Sequence, residues 1–209
     1  MGLVPPISTE GKGKYTGNPI VILGGSSSFG QNSKLRSRQK RIMAVVNFNH
    51  DSAIQLAKLS GFSPIIVTAS LQHAEYLKSL GATHVIDRNV TRDVLTSEVN
   101  TITQNTPIKY VVDSISSADT QQGGYDLLAS GGKLVISLAV AIKTTDNKAI
   151  IHALGSATHE PNTELLRTLY QDNLERLLKE GAIKVEPQSQ KMLFFLFIVD
   201  QIKSLAKPS

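Results

Sequence analysis

Pro19-Ile20-Val21-Ile22-Leu23-Gly24-Gly25-Ser26-Ser27-Ser28-Phe29-Gly30 is an apolar run that ends in a turn rich in glycine and serine. A run this short and apolar reads as a strand buried on both faces, followed by a turn at which backbone can approach a phosphate. Gly25 and Gly30 stand at the first and last positions of G-x-G-x-x-G, with Ser27 in the middle. Glycine first permits a tight turn, and glycine last lets the next helix pack on the strand. Serine in the middle narrows the backbone approach, while the hydroxyls of Ser26, Ser27 and Ser28 offer hydrogen bonds to phosphate. Alone, the motif also fits an α/β turn that binds nothing.

Spacing adds to it. In a dinucleotide fold the second strand ends about 20 residues beyond the motif, at the group that meets the adenine ribose. Ser70, at the end of Val67-Thr68-Ala69-Ser70, lies 40 residues after Gly30. Setting aside the 21 residues from Asn32 to Ser52 leaves 19 and joins Phe29-Gly30-Gln31 to the helical pattern resuming at Ala53. Residues 32–52 therefore read as an insertion. No carboxylate stands at the ribose position, which favours NADP over NAD, with Ser70 as the phosphate contact and His73, Lys78 or Arg88 as candidate companions.

Beyond the opening motif, apolar runs alternate with helical patterns, the signature of an α/β fold with a doubly wound, Rossmann-like parallel sheet. Strands are predicted at Ile20–Leu23, Pro64–Thr68, His84–Ile86, Lys109–Val112 and Lys133–Leu138, with a sixth over Ile150–Leu154. Helices are predicted over Leu71–Leu80, Asp93–Thr103 and Ala118–Ala129, and a long one over Asn162–Glu180. Residues 1–16 read as the remnant of a linker or N-terminal domain, 17–185 as a dinucleotide-binding domain and 186–209 as an irregular, atypical tail.

Composition excludes several classes of function. The chain has no cysteine, so disulfides, thiolate catalysis and cysteine-ligated metal sites are ruled out, and its five histidines lack ligand spacing. No apolar run reaches the roughly 20 residues of a membrane span, and the first residues lack a signal-peptide pattern; a cytoplasmic protein without membrane contact is expected. The 32–52 segment holds five cations against one acid, Asp51, and so carries +4 of the net charge of +5. That local basicity comes with no nucleic-acid-binding module, and none is expected as a partner.

Gly17 to Gln31, Ala53 to Asp87, Val111-Val112-Asp113-Ser114 and Gly131-Gly132-Lys133-Leu134-Val135 together resemble the medium-chain dehydrogenase/reductase family. The similarity is to its zinc-independent, NADPH-dependent members, related to quinone oxidoreductases and fungal trans-acting enoyl reductases. The resemblance implies hydride transfer to a small-molecule enoyl or quinone substrate. It also implies an NADPH site in which Gly25, Ser27, Ser28, Phe29 and Gly30 meet the pyrophosphate and Ser70 the 2′-phosphate. Ser114, Ile115 and Leu138 would line the cofactor near its nicotinamide end. For Ile115 and Leu138, plain core packing is an equal reading.

Members of that family carry a barrel-like substrate domain ahead of the cofactor domain, whereas here Met1 to Tyr15 precede it. The expectation is a truncated chain without most of the catalytic cleft, its insertion and tail derived from unspliced introns or misplaced exon boundaries. The sequence assigns no catalytic residue, and a non-catalytic NADP-binding remnant is the first alternative. The second is a serine hydrolase, with Ser26 as nucleophile and Asp113 and His152 as partners; the closing glycine of a nucleophile elbow is missing.

Overall fold

A computed structural model of the chain describes residues 13–25, 50–145, 147–153 and 173–184. The chain divides into two compact units, residues 1–155 and 156–209.

Six parallel strands form one sheet in the first unit: β1 (Ile20–Gly25), β2 (Ile65–Ala69), β3 (His84–Asp87), β4 (Tyr110–Asp113), β5 (Lys133–Ile136) and β6 (Ala149–His152). Their order is β3-β2-β1-β4-β5-β6, and Ile20 is flanked by Ile65 on one side and Tyr110 on the other. This is the doubly wound arrangement the alternating pattern predicts. The helices are α1 (His50–Leu59), α2 (Ala74–Leu80), α3 (Arg92–Thr103) and α4 (Ala118–Leu127).

Alternation along β1 divides the core. Ile20 and Ile22 join Ile54 and Ala57 of α1 and Leu77 of α2 on one face, while Val21 and Leu23 join Val99 of α3 and Tyr125 of α4 on the other. Strand side chains point alternately to opposite faces, so a strand covered on both must be apolar throughout. All five residues of β2 are buried. At the N-terminal edge, Tyr15 stacks on Phe62 at 4.6 Å, and Tyr110 meets both rings edge-on. The opposite edge carries the strand ends that matter for function.

Several boundaries differ from the sequence expectation, some of them at a tertiary contact. Helix α1 begins at His50, within the 32–52 segment, and the Asp51 carboxylate in its first turn accepts a hydrogen bond from the Tyr76 hydroxyl at 3.0 Å. The single helix expected over Leu71–Leu80 is a 3-10 turn, Leu71–His73, followed by α2. Strand β5 stops at Ile136 because the Ser137 N–H donates to Ser116 Oγ at 2.9 Å and leaves the ladder. Helix α4 ends at Leu127, where Leu128 turns to an extended ψ of 134°.

Of the second unit, the structure describes a short helix, α5 (Leu174–Lys179), in which Leu177 is buried and Lys179–Glu175 and Arg176–Glu180 form exposed ion pairs. The rest of the long helix expected from Asn162 lies outside the described residues.

Helix α4 packs closely on the sheet because of Gly124. A Cβ there would stand 3.1 Å from methyl groups of Leu134, Leu23 and Val111, whereas at neighbouring Gly123 it would meet nothing within 4 Å. Gly124→Val is expected to cost about 2 kcal/mol by overpacking, and Gly123→Ala to gain up to about 1 kcal/mol from helix propensity. Denaturant midpoints of the two variants check the contrast.

Candidate functional site

Because β2 and β4 flank β1, the strand order reverses at β1, with α1 on one face and α4 on the other, and in open α/β sheets ligands bind at the C-terminal edge at such a point. The end of β1 is shaped by a bulge. Leu23 pairs with Thr68 and Gly25 with Ala69, leaving Gly24 as the extra residue, its N–H donated to Thr68 Oγ1 at 3.1 Å. Gly24 has a φ of +92°, and a Cβ on it would lie 2.4 Å from Ile115 Cγ1. Both conditions require glycine here. Gly25, the first glycine of the motif reading, follows Gly24 and closes the strand.

The segment after β4 is bound to the end of β1. Ser114 donates to the Leu23 carbonyl twice, from its N–H at 3.2 Å and from its hydroxyl at 2.8 Å. Asp113, only 1% exposed, accepts from the N–H groups of Ile115 and Ser116 at 3.0 and 2.8 Å and from Thr120 Oγ1 at 2.8 Å. These bonds hold Ser116 at a φ of +57°, a left-handed conformation uncommon for serine. Its hydroxyl donates to the Asp113 carbonyl and accepts from the Ser137 N–H, which connects the β4 and β5 ends.

Burial pushes the Asp113 carboxyl above the usual carboxylate range, opposed by the hydrogen bonds from Ser116, Thr120 and Ile115. The hydrolase reading finds no support in this geometry. The Asp113 carboxylate is committed to its own loop, and His152 lies two strands away through Ile136, about 10 Å at normal strand spacing.

Of the residues singled out from sequence, Gly25, Ser114 and Ile115 meet at the β1 and β4 ends. Leu138 lies two residues beyond β5 and is 39% exposed. Ser70 follows β2, and its hydroxyl makes no capping bond in the 3-10 turn it opens. The Arg88 N–H donates to the Ala69 carbonyl at 3.0 Å, which brings the start of the segment after β3 beside Ser70. Lys78 is instead paired with Glu75 on α2. Ser27, Ser28, Phe29 and Gly30 lie outside the described residues. Sequence reasoning missed Thr68, Ser116 and Gln121. For Gln121 a signal existed, since Gln121, Gly124 and Tyr125 share the inward face of one helix.

The chain matches the zinc-binding dehydrogenase family over residues 51–161, more than half its length. It is 29% identical over 176 residues to a trans-enoyl reductase of Aspergillus japonicus, covering 83% of this chain and 44% of that protein. It is 33% identical over 116 residues to a trans-enoyl reductase of Fusarium heterosporum, covering 55% and 26%. A quinone oxidoreductase of Pseudomonas syringae superposes with a TM-score of 0.59 at 21% identity, over 82% of this chain and 48% of that one; this likeness is one of fold. The chain belongs to the zinc-binding dehydrogenase family, as the resemblance read from its motifs implies. It spans less than half the length of the curated relatives it matches.

Among the described residues no group of three His, Cys, Asp or Glu side chains could hold a metal ion, and the chain contains no cysteine. Nor is any helix among the described residues long and apolar enough to cross a membrane.

An acid whose folded pKa is raised costs stability once it ionises, so its contribution declines as pH climbs from the ordinary carboxylate range through the elevated value. Asparagine can accept the same two N–H bonds and donate to Thr120 Oγ1. The stability of wild type relative to Asp113→Asn should therefore fall with rising pH across that window, as read by denaturation at a series of pH values. A difference that grows in favour of wild type would reverse the assignment.

Proposed function

We propose that the C-terminal edge of the sheet binds NADPH, and that the chain is the cofactor-binding part of an NADPH-dependent reductase of enoyl or quinone substrates. The observation carrying this reading is the end of β2, where Ala69 and Ser70 supply a hydroxyl and no carboxylate. A carboxylate there would accept from the ribose 2′-hydroxyl and repel a 2′-phosphate, whereas a hydroxyl beside a guanidinium favours the phosphate. Ser70 and Arg88 are the candidates for that pair, since the Arg88 backbone is tied to Ala69 and its side chain starts within reach of the β2 end.

With the adenine ribose over β2, the dinucleotide crosses the bulge at Gly24 and directs its nicotinamide toward the β4 and β5 ends. Ile115, packed over Gly24, forms the floor of the crevice, and the exposed Leu138 offers an apolar wall beside it. When bound, the cofactor supplies a hydride, which with a proton completes reduction of an enoyl or quinone group. The trans-enoyl reductases among the relatives support this substrate class.

Calorimetric titration tests the reading. NADPH is expected to bind roughly tenfold or more tightly than NADH, a difference of about 1.4 kcal/mol, and Ser70→Asp to reverse that preference. Equal binding of the two would remove the phosphate assignment, and binding of neither would remove the cofactor. Binding without turnover of an enoyl thioester or quinone would leave a nucleotide-binding module rather than a reductase.

A further inference from the structure

We infer that Gln121 is a positioning residue, a latch within α4 that holds the segments after β4 and β5 in the arrangement that receives the nicotinamide half of the cofactor. The inference rests on the NADPH reading above and extends it to a residue that touches no ligand.

Gln121 is 0% exposed. A buried amide must find hydrogen-bond partners, and all three that this one finds are backbone groups of the two segments at the cofactor edge. Its Nε2 donates to the Ser116 carbonyl at 2.9 Å and to the Ala139 carbonyl at 2.9 Å, while its Oε1 accepts from the Ala141 N–H at 2.9 Å. One side chain thus joins the segment after β4 to the segment after β5, from beneath. A second clamp follows one turn later on the same helix. The Tyr125 hydroxyl donates to the Thr145 carbonyl at 2.9 Å and accepts from the Thr145 N–H at 2.8 Å.

The segment so held, from Ala139 to Thr145, has no strand or helix of its own, and its residues are largely exposed. Without the amide, two carbonyls and an N–H would lose their buried partner, and the segments after β4 and β5 would no longer be held to a single arrangement. A binding-competent arrangement populated only part of the time lowers apparent affinity by that fraction. Ser70 lies on the far side of β1 from these segments, so the adenine half should be indifferent to the latch.

The test compares two ligands on the purified full chain: NADPH, and 2′,5′-ADP, which carries the adenine half alone. Gln121→Leu, close in size but without polar atoms, is expected to weaken NADPH roughly tenfold and to leave 2′,5′-ADP within about twofold of wild type. Tyr125→Phe removes the second clamp with a smaller perturbation of the core; it should show the same selective loss, and it decides the question if Gln121→Leu does not fold. Equal loss of both ligands would assign Gln121 a general structural role and overturn the inference, as would unchanged NADPH affinity. Failure of wild type itself to bind NADPH is a separate outcome, which defeats the cofactor reading on which the latch depends.

Discussion

The closeness of β1 to β4 at their C-terminal ends is the constraint on which the rest of the structure depends. Gly24 leaves no room for a Cβ beneath Ile115, and the Leu23 carbonyl receives both donors of Ser114. The two strands therefore diverge from a single tight junction. A bulge at Gly24 shapes the end of β1, and the Asp113 carboxylate turns the chain out of β4 by gathering two N–H groups and a hydroxyl.

This junction is stabilised by buried polar groups rather than by apolar contact alone. Asp113, Ser116 and Gln121 are each nearly inaccessible to water, and their partners are mostly main-chain atoms of the segments that would surround a ligand. Burying such groups is costly unless each finds its partner, and a fully satisfied set is correspondingly specific in the arrangement it allows. The aromatic trio at the opposite edge orders the chain entering β1 by packing instead. One edge of the sheet is closed by rings, and the other is held open in a defined shape by hydrogen bonds.

Much of this was legible in the sequence. Strands buried on both faces must be apolar runs, and Ile65–Ala69 and Tyr110–Asp113 read that way with only small shifts at their ends. Counting to the end of β2 pointed to Ser70, and the family resemblance pointed to Ser114, Ile115 and Leu138, which all follow strand C-termini. What was not legible depends on partners distant in sequence. The end of β5 is decided by a bond from Ser137 to Ser116, and the start of α1 at His50 is accompanied by a bond from Tyr76 to Asp51. Gln121 binds Ala139 and Ala141, 18 and 20 residues away, and no periodicity encodes such a bond. The left-handed backbone at Gly24 was not legible either, because it comes with a bulge that a motif count does not register.

The central claim is that the C-terminal edge, shaped by this junction, is the ligand-binding edge. Amide chemical-shift mapping on addition of NADPH tests it most directly. Perturbations should concentrate at Gly24, Ser70, Ser114, Ile115 and Leu138, while Asn18, Ser63, Thr83 and Lys109 at the opposite edge stay in place. Shifts confined to that opposite edge, or none at any NADPH concentration, would contradict the account.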